Sequence, residues 1–170
     1  FALWDKQYLP DDGRETFWSN EYKKIFNANL VLAYLDKVSG FDADKLRLKA
    51  DAHLIRAYSY WELVNTYSLP YTDANKNEPG LPIKLGTSFD EPIARQPISA
   101  VYQQIEEDLK EALKITTPLV QNGIARHWRA NTAAVNGFAA RYYLNRNDYT
   151  KALQYANTAL SEYSTLVDYN

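Results

Sequence analysis

The chain has 170 residues, 46% hydrophobic and 14% aromatic, which is enough for one compact domain with a buried core and too apolar for a disordered chain. With 19 Lys and Arg against 21 Asp and Glu, the formal net charge is −2, which argues against nucleic acid as a partner. The absence of Cys excludes thiol nucleophiles, disulfides and Cys-ligated zinc.

The start of the chain carries no recognisable targeting segment. The sequence begins at Phe1 and contains no Met, so we expect a processed or excised part of a longer protein, with any targeting signal upstream. Charges at Asp5, Lys6, Asp11 and Asp12 exclude the apolar region of a signal peptide from this stretch. No run approaches the roughly 20 apolar residues that span a bilayer.

Five segments have the periodicity of amphipathic helices, which predicts an all-α fold. The first two are predicted at about 15–37 and 43–66, where apolar and aromatic residues recur every three or four positions. The third is predicted to begin after Pro97 with Ser99 as its N-cap. The second has the widest apolar surface and is therefore predicted to be the most buried.

The fourth and fifth helices are predicted at about 132–144 and 149–162, and their short connection requires an antiparallel hairpin. Small residues of the fourth, including Gly137, are expected to let a neighbouring helix approach closely. The segment matches the tetratricopeptide pattern at Ala140, Tyr143, Asp148, Tyr149, Ala152 and Ala159. It departs at Asn136 and Asn147, where the pattern has Trp and Gly. We interpret it as one degenerate repeat, with the first two helices as a second.

A long Pro- and Gly-containing loop, 67–96, separates the second and third predicted helices. A loop of this length within a compact domain argues for a functional or capping role. Its segment 73–78 offers oxygen ligands that could hold Ca²⁺, but the spacing of a calcium loop is absent. We therefore interpret that segment as a polar turn.

Signatures of common enzyme classes are absent. There is no Gly-rich nucleotide-binding motif, no G-x-S-x-G and no H-E-x-x-H. His53 and His127 lack partner ligands at suitable spacing, so we interpret them as packed or surface residues. Residues 106–108 form the densest acidic cluster, but Glu106 can pair with Lys110, which favours a solvated helix face. The sequence predicts no catalytic residue, no cofactor and no metal site.

The aromatic content is the positive chemical clue, with 14 Tyr, 6 Phe and 4 Trp. Flat aromatic faces pack against the C–H faces of sugar rings, while nearby polar groups bind the hydroxyls. The alternative is that these residues fill gaps between helices, as we expect for Trp18, Tyr58, Trp61 and Tyr143. Arg56 and Asn29 lie on apolar helix surfaces and are expected to have buried hydrogen-bonding partners rather than ligands.

Several blocks of the sequence, in order, resemble the SusD/RagB family of glycan-binding outer-membrane lipoproteins of Bacteroidetes. The first is WSNEYKKIFNANLVLAYL, and the second is KADAHLIRAYSYWELVNTYSLPY. GLPIKL follows from Gly80, then a helix start with the family's spacing from Arg95 to Ala112, and then NDYTKAL. Blocks in register over most of the chain are more specific than any single block.

The resemblance implies a tetratricopeptide-like scaffold beside a TonB-dependent, SusC-like porin, which captures oligosaccharides or polysaccharides at the cell surface without catalysis. It also implies an outer-membrane location through a lipid anchor outside this chain. Family members are longer, so residues 1–170 are expected to be a single N-terminal helical domain of a larger protein.

Ligand residues in this family lie on variable loops, so the candidates follow from placement alone. Trp4 and Tyr8, before the first helix, and Tyr71, in the long loop, lie outside the helical stripes and are the candidate glycan-binding residues. One alternative is a protein-binding scaffold with no sugar site, whose aromatics would line the inner helix face. A glycoside hydrolase would need two carboxylates about 5–10 Å apart, and no such pair is evident.

Overall fold

The computed structural model describes residues 16–88 and 90–165 of the chain. The helices are α1 (Thr16–Tyr34), α2 (Asp42–Tyr67), α3 (Ile98–Ala112), α4 (Thr132–Asn145) and α5 (Tyr149–Glu162), with a 3-10 turn at Leu35–Lys37. Two short strands, β1 (Val120–Gln121) and β2 (Ile124–Ala125), pair antiparallel between α3 and α4. The all-α prediction is confirmed. None of the described helices has the length and apolarity needed to cross a membrane.

The helix boundaries agree with the predicted ones to within a few residues, but the predicted N-cap of α3 is wrong. α3 begins at Ile98 after Pro97, and no side chain caps it. Ser99 already lies in the first turn, and its backbone N–H donates to the Lys76 carbonyl at 2.9 Å. The Ile98 N–H donates in the same way to Glu78 at 3.0 Å. Loop carbonyls therefore satisfy the unpaired N–H groups that a capping serine would otherwise bind.

The hydrophobic core is built around α2, which packs against α1 on one side and α3 on the other. Its fully buried residues include Tyr60, Leu63 and Val64, and each large apolar side chain contributes about 1.5–3 kcal/mol through burial. Trp61 and Tyr143 are buried, as expected. Tyr58 was expected in the core and is 39% exposed, because it lies over Phe138 at the surface, with ring centroids 5.4 Å apart.

A buried charged network joins the first three helices. The Arg56 Nε and Nη2 atoms donate to the two Asp108 carboxylate oxygens at 2.9 and 2.6 Å. Arg56 Nη1 donates to Asn29 Oδ1 at 2.7 Å, so α1, α2 and α3 meet at one guanidinium. The His53 Nδ1 atom lies 2.8 Å from Asp108 Oδ1. The expected buried partners of Arg56 and Asn29 are therefore confirmed.

The predicted solvated face at 106–108 is wrong at Asp108, which is only 1% exposed. The carboxylate points inward because Arg56 and His53 on α2 lie opposite it. The expected ion pair of Glu106 with Lys110 is not among the ion pairs of the described residues; Glu106 instead accepts a hydrogen bond from the Tyr142 hydroxyl. Consecutive acidic residues on one helix thus have different environments.

The network lowers the pKa of Asp108. Burial alone would raise the pKa of Asp108, but hydrogen bonds from His53 and Arg56, and the Arg56 charge, hold it below its ordinary value of 3.8. Asp108 is therefore ionised at neutral pH and balances the buried Arg56 charge.

The α4–α5 hairpin turns at Asn147, which adopts a left-handed backbone conformation with φ 59°. This is where the tetratricopeptide pattern has Gly, and Asn is one of the residues that tolerate this region. Asp148 then caps α5 by accepting from the Lys151 N–H. The expected close approach at Gly137 is wrong: a Cβ there would meet no atom within 4 Å, because Gly137 faces a surface cleft.

Replacing Asp108 by Asn should lower the free energy of unfolding by about 3–5 kcal/mol at pH 7, because a buried guanidinium loses its counter-charge. The measurement is urea denaturation, with Glu107→Gln on the exposed side of α3 as the matched control, expected within about 0.5 kcal/mol of wild type. Because the pKa of Asp108 is lowered by folding, the ionised carboxylate contributes its full stability above the unfolded-state pKa of about 3.9. That contribution is lost as the pH falls through the lower, folded-state pKa. The difference between wild type and Asp108→Asn should therefore narrow below about pH 4; a difference independent of pH would contradict the network.

The left-handed backbone conformation of Asn147 predicts how substitutions at this position change stability. In thermal unfolding, Asn147→Gly should have a midpoint equal to or above that of the wild type. Asn147→Ala should have a lower midpoint, with a free energy of unfolding about 1 kcal/mol below that of the Gly variant. Both variants lose the exposed hydrogen bond from Tyr149, so their comparison isolates the backbone effect. Equal stabilities would show that the turn does not impose this conformation.

Candidate functional site

Part of the long loop, residues 82–86, is held against the helices by two tyrosines, one half-buried on α1 and one buried on α2. The Tyr22 hydroxyl donates to the Pro82 carbonyl at 2.7 Å. The Tyr60 hydroxyl accepts from the Lys84 N–H at 2.7 Å and donates to the Lys84 carbonyl at 3.0 Å. Burial raises the pKa of Tyr22 and of Tyr60, so both hydroxyls stay protonated and able to donate.

Asn29 connects this loop to the buried charged network. Its Nδ2 atom donates to the carbonyls of Lys84 at 3.0 Å and Gly86 at 2.9 Å. Its Oδ1 atom accepts from Arg56 on the opposite side. The position of the loop is therefore coupled to the packing of α1 on α2.

The middle of the loop is joined to its C-terminal end at Gly80. Its N–H donates to the Gln96 carbonyl at 2.7 Å, and the Gln96 N–H donates to Leu81 at 2.9 Å. A Cβ on Gly80 would lie 2.9 Å from the Gln96 carbonyl oxygen and 3.0 Å from Ile98 Cα. Only glycine fits this close backbone approach, which closes the loop at the start of α3.

An open groove of about 640 Å³ lies between α1 and this loop. One wall carries Trp18, Tyr22 and Phe26, spaced four residues apart along α1. At 1.5 Å per residue, this aromatic stripe extends about 12 Å along the helix. Four-residue spacing places the three side chains on one face, so the groove runs along α1.

Polar groups accompany the aromatic stripe on both sides of the groove. Next to it on α1 lie Ser19, Lys23 and Asn27, again four residues apart. The loop wall contributes Lys84, Gly86, Ser88 and Glu91. Apolar rings beside hydrogen-bonding side chains are the combination that binds sugar rings.

Of the residues predicted from the sequence, only Tyr71 can be placed, because Trp4 and Tyr8 lie outside the described residues. Tyr71 is half-buried, packs edge-on against Tyr102 with centroids 5.0 Å apart, and has the Arg146 guanidinium 3.6 Å from its ring centre. It does not line the groove along α1. Its role in glycan binding stays a prediction.

Trp18 and Tyr22 line the groove, although their three- and four-residue spacing with Ile25 predicts a core-facing stripe on α1. Both are half-buried: they pack on the core and also border the groove, because the loop covers only part of α1. The signal that could have identified them is the pair of adjacent stripes, one aromatic and one polar, with the same four-residue spacing. In residues 16–88 and 90–165, no three His, Asp or Glu side chains are grouped so as to hold a metal ion.

A family model, SusD-like_3, described as "Starch-binding associating with outer membrane", matches residues 2–144. The chain belongs to this family, and the resemblance seen in the sequence is confirmed. No curated protein sequence matches the chain.

Solved structures with the same fold include a protein from Bacteroides vulgatus described as sugar-binding, with a TM-score of 0.79 and 28% identity over 93% of this chain and 35% of that one. A SusD-like carbohydrate-binding protein from the same species has a TM-score of 0.76 and 27% identity over 90% of this chain and 32% of that one. A laminarin-binding SusD-like protein, 24% identical with a TM-score of 0.69 over 86% of this chain and 30% of that one, shares the fold. This chain spans about a third of the length of these structures.

Replacing Tyr60 by Phe should release the loop that forms one wall of the groove. The part-buried Lys84 N–H loses its acceptor, so we expect the free energy of unfolding to fall by about 1–3 kcal/mol. Amide hydrogen exchange at Lys84 should accelerate by more than it does in Tyr34→Phe, a control at a 52% exposed tyrosine of α1. Unchanged exchange at Lys84 would show that Tyr60 does not hold the loop.

Proposed function

We propose that this chain is part of a non-catalytic protein that binds oligosaccharides, and that the groove along α1 is a binding site. The observation that carries the proposal is the pair of parallel stripes, with Trp18, Tyr22 and Phe26 beside Ser19, Lys23 and Asn27. The aromatic rings offer faces for the apolar side of a sugar, and the adjacent polar groups offer hydrogen bonds to its hydroxyls. Membership of a family described as starch-binding supports the same function.

The composition of the groove favours binding over hydrolysis. Cleavage of a glycosidic bond ordinarily uses two carboxyl groups on either side of that bond. Among the described residues that line the groove, Glu91 is the one carboxylate, and its Oε1 atom accepts from the Gly86 N–H at 2.7 Å. Glu91 thus shapes the loop wall and has no second carboxylate opposite it in this lining.

The cellular setting of the proposal rests on the family. Its description associates these proteins with the outer membrane, which supports a location at the cell surface. We propose that the bound glycan is delivered to a TonB-dependent, SusC-like transporter. Trp4, Tyr8 and Tyr71 are proposed to contribute further contacts from the segments that flank the helices.

The experiment is isothermal titration of the full-length protein against a panel of plant, host and microbial oligosaccharides. Trp18→Ala and Asn27→Ala should each weaken binding about tenfold, equivalent to about 1.4 kcal/mol. Trp128→Ala removes a 68% exposed tryptophan outside the groove and is the matched control, expected to leave affinity unchanged. Trp4→Ala, Tyr8→Ala and Tyr71→Ala test the residues chosen from the sequence.

Two outcomes would contradict the proposal. If the full-length protein bound none of the glycans but still associated with its transporter, a protein-binding scaffold would explain the fold better. If binding occurred and the groove variants had no more effect than Trp128→Ala, the glycan site would lie elsewhere.

A further inference from the structure

Three basic side chains lie in the groove or next to it, and none has a carboxylate partner in the described part of the chain. Lys23 and Lys84 line it, and the Arg95 guanidinium lies 5.8 Å from the ring centre of Trp18. The Lys84 Nζ atom donates to the Glu91 backbone carbonyl, and Arg95 donates to a backbone carbonyl at 3.1 Å. Because these acceptors are neutral, none of the three positive charges is paired directly with a carboxylate among the described residues.

Some lysines of the described residues form ion pairs, whereas Lys23 and Lys84 belong to those that do not. Lys24, Lys76, Lys114 and Lys151 each pair with an acidic residue three positions earlier on the chain. The chain as a whole has a net charge of −2, so a local excess of positive charge runs against the average. Glu91 is the one carboxylate in the described lining, and a backbone N–H binds one of its oxygens. Among the described residues, the groove and the adjacent Arg95 therefore carry three positive charges against the one negative charge of Glu91, beside the aromatic rings.

We propose that the ligand of this groove is an acidic glycan, an oligosaccharide that carries carboxylate or sulfate groups. This inference rests on the proposed function and names the substrate class of the same site. The aromatic stripe of α1 takes the apolar faces of the sugar rings, and Lys23, Lys84 and Arg95 bind the anionic substituents. Lys84 is only partly exposed, and charge-assisted hydrogen bonds are stronger where water is partly excluded.

The test uses matched pairs of oligosaccharides with the full-length protein. One pair is a uronate-containing oligosaccharide and its carboxyl-reduced form; the other is a sulfated oligosaccharide and its desulfated form. The acidic member of at least one pair should bind about tenfold or more tightly than its neutral counterpart, and raising the salt concentration should reduce the difference. The pair that shows the difference identifies carboxylate or sulfate as the recognised group.

Lys23→Gln is the decisive variant, because Lys23 is exposed and forms no hydrogen bond or ion pair within the described residues, so its removal should leave the fold intact. It should lower affinity for the acidic glycan several-fold more than it lowers affinity for the neutral form, because glutamine can still hydrogen-bond to hydroxyls but carries no charge. Lys110→Gln, at an exposed lysine of α3 outside the groove, carries the same change in net charge and should have no effect.

The outcomes separate this inference from the proposed function. Equal binding of acidic and neutral members, without salt dependence, would overturn the acidic assignment and leave glycan binding in place. Equal losses in Lys23→Gln and Lys110→Gln would overturn it as well, because a general charge effect would then explain the preference. An acidic peptide that bound as tightly, with the same dependence on Lys23, would overturn recognition of a sugar. Failure to bind any glycan would contradict the proposed function itself.

Discussion

The position of the first three helices and of the long loop depends on the buried guanidinium of Arg56. Burying a charge costs several kcal/mol unless its partners are in place, so Asp108 on α3 and Asn29 on α1 must both reach it. Asn29 uses its remaining donor atom to hold the carbonyls of Lys84 and Gly86. One interaction therefore couples the packing of the helices to the loop that forms the groove.

This coupling explains how a long loop can form a defined wall of the groove. The described residues of the loop after α2 form no helix and no strand beyond an isolated bridge from Pro79 to Pro97. Even so, Tyr22, Tyr60 and Asn29 bind the loop backbone between residues 82 and 86. These three side chains lie on α1 and α2, so the packing of the two helices fixes their positions. Their hydrogen bonds in turn fix the position of the loop. In the proposed binding mode, a sugar would meet a wall that is already arranged, which would lower the entropy lost on binding.

Much of the architecture could be predicted from the sequence, because apolar periodicity located the helices and the short connection required the α4–α5 hairpin. The same reasoning identified Arg56 and Asn29 as residues in need of buried partners. The sequence reasoning missed Asp108 as the partner of Arg56, because a run of three acidic residues predicts a solvent-exposed helix face. Only the packing of α2 against α3 shows that Asp108 is buried. The groove was also hidden, because hydrogen bonds between residues more than 50 positions apart create it, such as those from Asn29 to Lys84 and Gly86.

The most direct test of glycan binding at this groove is a crystal structure of the full-length protein with a bound oligosaccharide. We expect sugar rings stacked along α1 on the stripe formed by Trp18, Tyr22 and Phe26, with an anionic substituent near Lys23 or Lys84. Sugar bound only at another surface, with this groove covered by the remainder of the polypeptide, would contradict the assignment.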